Sequence, residues 1–511
     1  MAPTPRMAIA PTHPARLRAL ASVHGLGKAA LGEFRYLELR CGGGDNLLPL
    51  AQRLPLGRFT GVDDEPRLAL ARAAATRCEL ANVTFSGEHE LEPGAFDFVV
   101  AHGSYSWLAR DEQAKLLATI ARSLAPTGVA LVSYNTLPGW SIRGALRQTM
   151  LRAVGHRDSD GRLLPDGLYA ARARLTKVAR HVHSSHPYRA LLALELELAR
   201  GRADAALAED MLAEHNEPLA FGDVMARTAE HELDLVCETL PATPDGALEL
   251  TVVPELMAEG LGRIEAEECL DVLCYRQLRA TLLCKSGLPI AATRDYRHLC
   301  ESGRFAARLG IQTESPRLEP GTAIAFVTAG GVVIEVERPL LKAALMVLGE
   351  RYPHGLTGAE LHREATERLR LARVSDDETA ATPASAAELL EPLVALVRRH
   401  HVELLDWTPT VHRELSSTPR LFELARLELS RGPVATNARH EPEALEALEV
   451  ALAQLLDGTR DRQALVHALA DRIDAGALVV DGLPAGTERR AALAPRVLGG
   501  VVRLRDLGLL V

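Results

Sequence analysis

Aromatic residues make up only 4% of the chain, and its seven cysteines are scattered with no C-x-x-C pair among them. The cysteine pattern excludes a disulfide framework and a structural zinc site together, because both need thiols at close, repeated spacing. His181, His183 and His186 are the nearest thing to a metal cluster, but no acid or cysteine joins them and Pro187 breaks the segment, so they read as a solvated helix end. No stretch reaches the roughly 18 apolar residues of a membrane span, and residues 1–17 hold no continuous apolar core of signal-peptide length. The expectation is a cytoplasmic protein without metal or membrane attachment. Its 58 basic and 67 acidic side chains give a net charge of −9, which argues against broad nucleic-acid binding and favours basic partners.

What is present is ample core: 47% of 511 residues are hydrophobic, enough for three or four domains. The segment 36–64 organises the rest. Residues 36–39 form a short apolar run, 41–44 a glycine turn, 45–54 a helix with leucines at inward spacing, and 59–62 a second strand closed by Asp63. Glycines at a strand's end let backbone approach a ligand, and an acid about 20 residues further on can accept both hydroxyls of a ribose. Glu38, Gly42, Gly44 and Asp63 make that four-point pattern, which points to an adenosine-type cofactor. A dinucleotide turn places a helix N-terminus under a pyrophosphate; here the glycines are contiguous, an acid precedes them, and Asp45 stands where a phosphate meets the helix. A sulfonium cofactor with an ammonium group, S-adenosylmethionine (SAM), suits these charges better than a dinucleotide does.

Further along, Asp64 caps a helix with Pro66 in its first turn, residues 82–85 form a third strand, and Glu88 falls where a loop acid can meet an adenine amino group. Residues 96–101 make a fourth strand, 111–124 a helix, and 129–133 a fifth strand after a Pro-Thr-Gly turn. In such alternating sheets ligands bind beyond the carboxyl ends of the strands, so the loops His102–Trp107 and Tyr134–Trp140 face one another over the cofactor. A helical stretch over 143–213 precedes a sixth strand at 233–238, a helix over 264–279 and a seventh strand at 280–284, which makes it an insertion suited to dimerisation or to lid duty. A hairpin over 323–336 leads into two winged-helix-like units, with helices at 339–351, 357–371 and 386–401 and then at 442–456, 460–473 and 489–504, and residues 372–385 form a polar segment. No helix carries the basic stripe a phosphate backbone requires.

The order THPARL at 12–17, LELRCGGG at 37–44, AHGSYSW at 101–107 and SYNTLPGW at 133–140 resembles the class I SAM-dependent methyltransferases with a methyltransferase regulatory domain. Rickettsial protein-lysine methyltransferases belong to that family. The resemblance continues through HNEPLAFGDVM at 215–225, EECLDVLCYRQLRATLLC at 267–284, and TNARHEP with LLDGTRDR at 436–442 and 455–462. It implies an α/β fold: a Rossmann-like seven-stranded SAM-binding sheet over 1–145 and 216–290, a helical dimerisation insertion over 146–215, and two mainly α, winged-helix-like regions over 291–410 and 411–511. It also implies transfer of methyl to lysine side chains of a protein substrate. The chain departs from the family's glycine turn at Arg40, whose guanidinium either meets the cofactor carboxylate or pairs with Glu38; in the second case the chain is a degenerate relative acting as a dimeric scaffold.

For an active enzyme, aligning a neutral amine near the sulfonium carbon is the main task. Making a lysine neutral at pH 7 takes roughly 4 to 5 kcal/mol, which burial against Tyr105, Trp107 and Trp140 is expected to supply in part. Tyr134 and Asn135 are expected to orient the amine, and His102 to contact the cofactor or relay a proton.

Overall fold

The structure, a computed structural model, describes residues 8–27, 31–155, 163–181, 185, 188–291, 293–372, 386–484 and 488–511. His183, His186 and the polar segment at 373–385 lie outside the described residues.

Helix α1 (Pro14–Val23) precedes the sheet, and α2 (Leu47–Arg53), α3 (Glu65–Arg77) and α4 (Arg110–Ser123) alternate with strands β1 (Phe34–Leu39), β2 (Gly57–Val62), β3 (Val83–Phe85), β4 (Phe96–Ala101) and β5 (Leu124–Asn135). The near-continuous burial along β1 and β4 is what a parallel strand covered on both faces needs. Seven strands result, in the order β3-β2-β1-β4-β5-β7-β6, with β6 (Leu233–Glu238) and β7 (Leu278–Lys285); β7 runs antiparallel to both neighbours. The carboxyl ends of β1, β2, β4 and β5 therefore share one edge.

Two boundaries differ from the sequence reading, each for a local reason. The turn expected at Pro126–Gly128 is absorbed into β5 as a register shift, between Phe96↔Leu124 and Phe98↔Val129. Gly128 permits this, since a Cβ there would stand 2.8 Å from the Phe96 carbonyl oxygen. The helix expected to reach Arg279 stops at Cys274, because Tyr275 turns left-handed at φ 49° and the apolar run after it joins the sheet as β7.

Helices α5 (Trp140–Val154), α6 (Pro165–Arg180), α7 (Arg189–Gly201) and α8 (Asp204–Asp210) form the insertion, with a core of its own around Met150, Ala171, Leu175 and Leu207. Helices α9 (Phe221–Ala229), α10 (Ala247–Ala258) and α11 (Arg263–Cys274) return the chain to the sheet. The sequence reading missed α10, which buries no residue and holds Pro254, so no apolar stripe marked it.

The middle domain begins with α12 (Arg297–Ser302), β8 (Arg304–Ala306) and β9 (Leu309–Ile311), followed by the hairpin β10 (Ile324–Thr328) and β11 (Val333–Val336). Helices α13 (Pro339–Arg351), α14 (Gly358–Leu371) and α15 (Ala386–Arg398) lead to β12 (Glu403–Leu405), which pairs with β8. The last domain holds α16 (Glu423–Leu429), the hairpin β13 (Val434–Thr436) and β14 (Pro442–Ala444), then α17 (Ala447–Ala453), α18 (Arg462–Asp474) and α19 (Glu488–Asp506). The helix expected from residue 442 starts later because its first residues pair as β14. Helix α1 is shared between two cores: Leu17 and Ala21 pack under the sheet, while Ala19 and Val23 pack into the middle domain.

Candidate active site

Glu38 is 5% exposed near the end of β1, where it accepts a hydrogen bond from Asn46 Nδ2 at 3.1 Å. The turn that follows is left-handed at Arg40 (φ 59°), Gly42 (φ 60°) and Gly44 (φ 82°). Gly44 serves packing as well as backbone freedom, since a Cβ there would come within 2.9 Å of Leu48 Cγ. Arg40 makes an ion pair that neither sequence alternative named: its guanidinium lies 4.0 Å from Glu112 Oε1 on α4. It remains 34% exposed, on the rim of the edge.

Asp63 ties the turn to β2. Its Oδ2 accepts the Gly42 N–H at 2.7 Å, while Oδ1 accepts the Asp64 N–H at 2.8 Å and Arg67 Nη1 at 3.2 Å. The carboxylate has no exposure, while the Arg67 side chain paired with it is 41% exposed. Glu88 opens a short 3-10 turn, Glu88–Glu90, half-buried, with its carbonyl held by Arg122 Nη2 at 3.0 Å.

The loops after β4 and β5 do meet. Gly103 N–H donates to Ser133 Oγ at 2.8 Å, and Ser106 Oγ accepts the Asn135 N–H at 2.9 Å. His102 and Trp107 are half-buried in this region. Asn135, 4% exposed, donates from Nδ2 to Asn216 Oδ1 at 3.0 Å, which leaves Oδ1 as the carboxamide's remaining acceptor. The segment 215–219 closes the group: Glu217 N–H donates to the Ser106 carbonyl at 2.8 Å and Leu219 N–H to the Asn135 carbonyl at 3.0 Å. Gln113 donates to the Tyr105 and Leu108 carbonyls, both at 3.1 Å, and accepts Arg227 Nη1 at 2.5 Å. Sequence reasoning assigned no role to Ser106, Gln113, Asn216, Glu217 or Arg227; the AHGSYSW motif held Ser106 and the HNEP run at 215–218 held Asn216 and Glu217, while Gln113 and Arg227 carried no signal.

Three expected roles are corrected. Tyr134 was expected to orient an amine, but strand alternation turns its ring to the opposite face from Asn135. It is fully buried, and its hydroxyl lies 3.1 Å from Thr281 Oγ1. Tyr105 was expected to wall the acceptor; it is also fully buried, 6.2 Å from the Tyr134 ring. Trp140, 2% exposed, packs into the insertion's core rather than facing a substrate, because Gly139 brings the chain against the Arg276 carbonyl, which a Cβ would approach to 2.1 Å. Of Tyr105, Trp107 and Trp140, the three aromatics expected to wall the acceptor, Trp107 is the one left with appreciable exposure.

Beneath β5 lies a buried ionic cluster. Arg279, without exposure, pairs with Glu238 at 3.0 Å, Glu267 at 3.2 Å and Asp271 at 2.8 Å, and covers the Phe221 ring at 3.8 Å. Burial pushes the Asp271 carboxyl up to about 6 against the pull of Arg279, and holds the Tyr134 hydroxyl well above its ordinary range. The cluster braces the strand whose end carries Asn135. Among the described residues no group of His, Cys, Asp and Glu is arranged to hold a metal ion, and no helix is long and apolar enough to cross a membrane.

The charges at the edge fit a cofactor bearing an ammonium group and two hydroxyls: Glu38 and Asp63 flank the turn, and Asp45 meets the helix beyond it, paired with Arg431 at 3.5 Å. Comparison with known proteins agrees. Residues 37–128 match a methyltransferase domain, 203–285 a predicted methyltransferase regulatory domain, and 417–501 the C-terminal winged helix domain of PKMT. These matches give the chain a SAM-dependent methyltransferase domain followed by a methyltransferase regulatory domain. It is similar to an uncharacterized protein of Rickettsia prowazekii, 26% identical over 92% of this chain and 85% of that one. Trans-aconitate 2-methyltransferase of Escherichia coli is 30% identical over 24% of this chain and 47% of its own length. The structure of PKMT2 from Rickettsia typhi, also solved with AdoHcy, superposes with a TM-score of 0.83 over 99% of this chain and all of that one; at 22% identity this establishes a common fold.

Proposed function

We propose that this methyltransferase uses SAM to methylate lysine side chains of a protein, as a homodimer in the cytoplasm. One observation carries the reading: the PKMT-type winged helix is built into a whole-chain fold held in common with a rickettsial PKMT, and it is seated directly on the cofactor-edge residues. The relatives named trans-aconitate 2-methyltransferase match only about a quarter of the chain. Arg40 does not favour a scaffold role, since its guanidinium reaches Glu112 at the rim. Dimerisation is supported by Leu191, Leu194 and Leu198, exposed by 44%, 52% and 45% at helical spacing along α7.

The bound cofactor supplies an electrophilic methyl carbon. The chain's own task is to present a neutral amine to it in line. Asn135 is suited to this, because the bond to Asn216 orients the carboxamide and the bonds to Ser106 and Leu219 hold the backbone that carries it. Trp107 offers an apolar wall that disfavours the ammonium form. His102, at the end of β4, is placed to touch the cofactor or to pass the amine's proton outward.

The test is transfer from methyl-labelled SAM to lysine-rich proteins and, in parallel, to trans-aconitate, followed by mass spectrometry. Label in methyllysine is the expected result. Label confined to the small acid overturns the protein-lysine reading.

A further inference from the structure

Two motifs of the sequence, THPARL at 12–17 and TNARHEP at 436–442, have no part in the site as described so far. The fold brings them together against the cofactor edge. Asn46, 4% exposed after the glycine turn, donates from Nδ2 to Glu38 Oε2 at 3.1 Å. Its Oδ1 lies 2.9 Å from His440 Nε2, and it takes in the Ile9 N–H and Thr12 Oγ1, each at 3.0 Å. The acid of the turn is thus held by an amide whose other end is gripped by the last domain and the N-terminal segment.

His440 is delivered there by a device of its own. It sits at φ 62°, a left-handed conformation that a non-glycine residue adopts at a cost and that persists only when its surroundings enforce it. Asn437 enforces it: its Oδ1 accepts the Arg439 N–H at 2.8 Å and the Glu441 N–H at 3.0 Å, and its carbonyl accepts the His440 N–H at 3.0 Å. On the far side Arg439 is locked to Glu403 at 3.0 Å and to the Pro353 carbonyl at 2.9 Å. Asn46 Oδ1 can only accept, so His440 Nε2 carries the proton in this contact, with Thr12 Oγ1 also 3.3 Å from it, and Nδ1 is buried without a partner among the described residues.

We propose that His440 is a positioning residue for cofactor binding, acting through Asn46 to fix the Glu38 carboxylate, so that the C-terminal domain forms part of the cofactor site. The proposal rests on the SAM reading of Glu38. Burial, with Arg16, Arg53 and His13 close by, keeps the imidazole neutral, consistent with one N–H donor and one bare nitrogen. By linkage, cofactor binding tightens the 437–441 turn as much as the turn tightens the cofactor.

The experiment is calorimetric titration of the full-length protein with S-adenosylhomocysteine. His440→Ala is expected to weaken binding about tenfold, the scale of one lost positioning hydrogen bond, with His440→Gln restoring most of it through an amide donor. Glu403→Gln loosens the same junction without touching Asn46 and is expected to lower thermal stability while leaving affinity within about twofold. Equal losses of affinity in His440→Ala and Glu403→Gln overturn the proposal, as does unchanged affinity in a folded His440→Ala. Hydrogen exchange on the unaltered protein gives the second measurement: slower exchange at 437–441 on ligand binding supports the coupling, and unchanged exchange overturns it. Absence of binding by the unaltered protein removes the cofactor reading itself, and this one with it.

Discussion

The carboxyl edge of the sheet and the junction behind it are built on opposite plans. At the edge, Glu38, Asn135 and their neighbours sit where strands end, so short stretches of chain largely decide their positions. At the junction, Asn46 and His440 touch although 394 residues separate them, and Arg16 meets Glu403 and Glu441 from equally far away. An edge of the first kind tolerates remodelling of distant domains; one leaning on the second does not. The cofactor acid belongs to both plans at once.

The strongest way to break this comparison is to remove the support beneath the edge. Arg279→Met leaves Glu267 without its cation and leaves Glu238 and Asp271 with Arg276 alone, at 3.9 and 3.3 Å, and unfolding experiments are expected to show a loss of about 3 to 5 kcal/mol. A loss below about 1 kcal/mol would mean the cluster is not what braces β5. Next in size, Asn135→Ala is expected to slow methyl transfer about a hundredfold or more while cofactor affinity stays within a few-fold, because misplacing the nucleophile costs rate rather than cofactor binding. Turnover by the variant equal to that of the unaltered protein takes Asn135 out of the mechanism.

Acidification separates the two regions. Burial, reinforced by Arg16, Arg439 and Arg53, holds the His13 imidazole well below its ordinary 6.5, and His440 is held down in the same way with His13 itself contributing. Glu403 and Glu441 also face this junction through Arg16. Groups whose folded pKa is depressed contribute stability that is complete above the unfolded value and is lost as pH falls below it. Asp271 runs the other way: with its carboxyl raised to about 6, protonation between its ordinary 3.8 and 6 favours the folded state. Lowering pH from 7.5 to 5.5 is therefore expected to speed hydrogen exchange at 12–16 and 437–441 before it does so along β5 and β7. Simultaneous loss in both places contradicts the assignment.

The smallest effect tests the rim. Arg40→Gly removes a side chain from a left-handed position and is expected to stabilise the fold by about 1 kcal/mol in chemical denaturation, with cofactor affinity within about threefold. A tenfold loss of affinity instead makes Arg40 a ligand.

The seven strands, the insertion and most helices of the two later domains were legible because they are written in local periodicity. Burial pattern marks β1 and β4 as interior strands, and glycines mark the turn beyond β1. Legibility failed where a side chain's direction depends on what packs against it. Tyr134, Tyr105 and Trp140 lie in the right loops, yet each ring turns into a core, because an aromatic ring gains more from burial than from lining an open edge. Ser106 and Asn216 escaped notice because small polar residues carry no periodic signal, although they fix Asn135.

By itself the sequence determined the class of sheet, the charge of its cofactor edge and the succession of domains, since strand ends, glycine turns and acidic residues act where the chain places them. Tertiary structure alone decided that His440 reaches Asn46 and that Arg40 reaches Glu112. Those contacts join segments that no local pattern pairs, and packing settles them, between domains for His440 and Asn46 and within the sheet domain for Arg40 and Glu112.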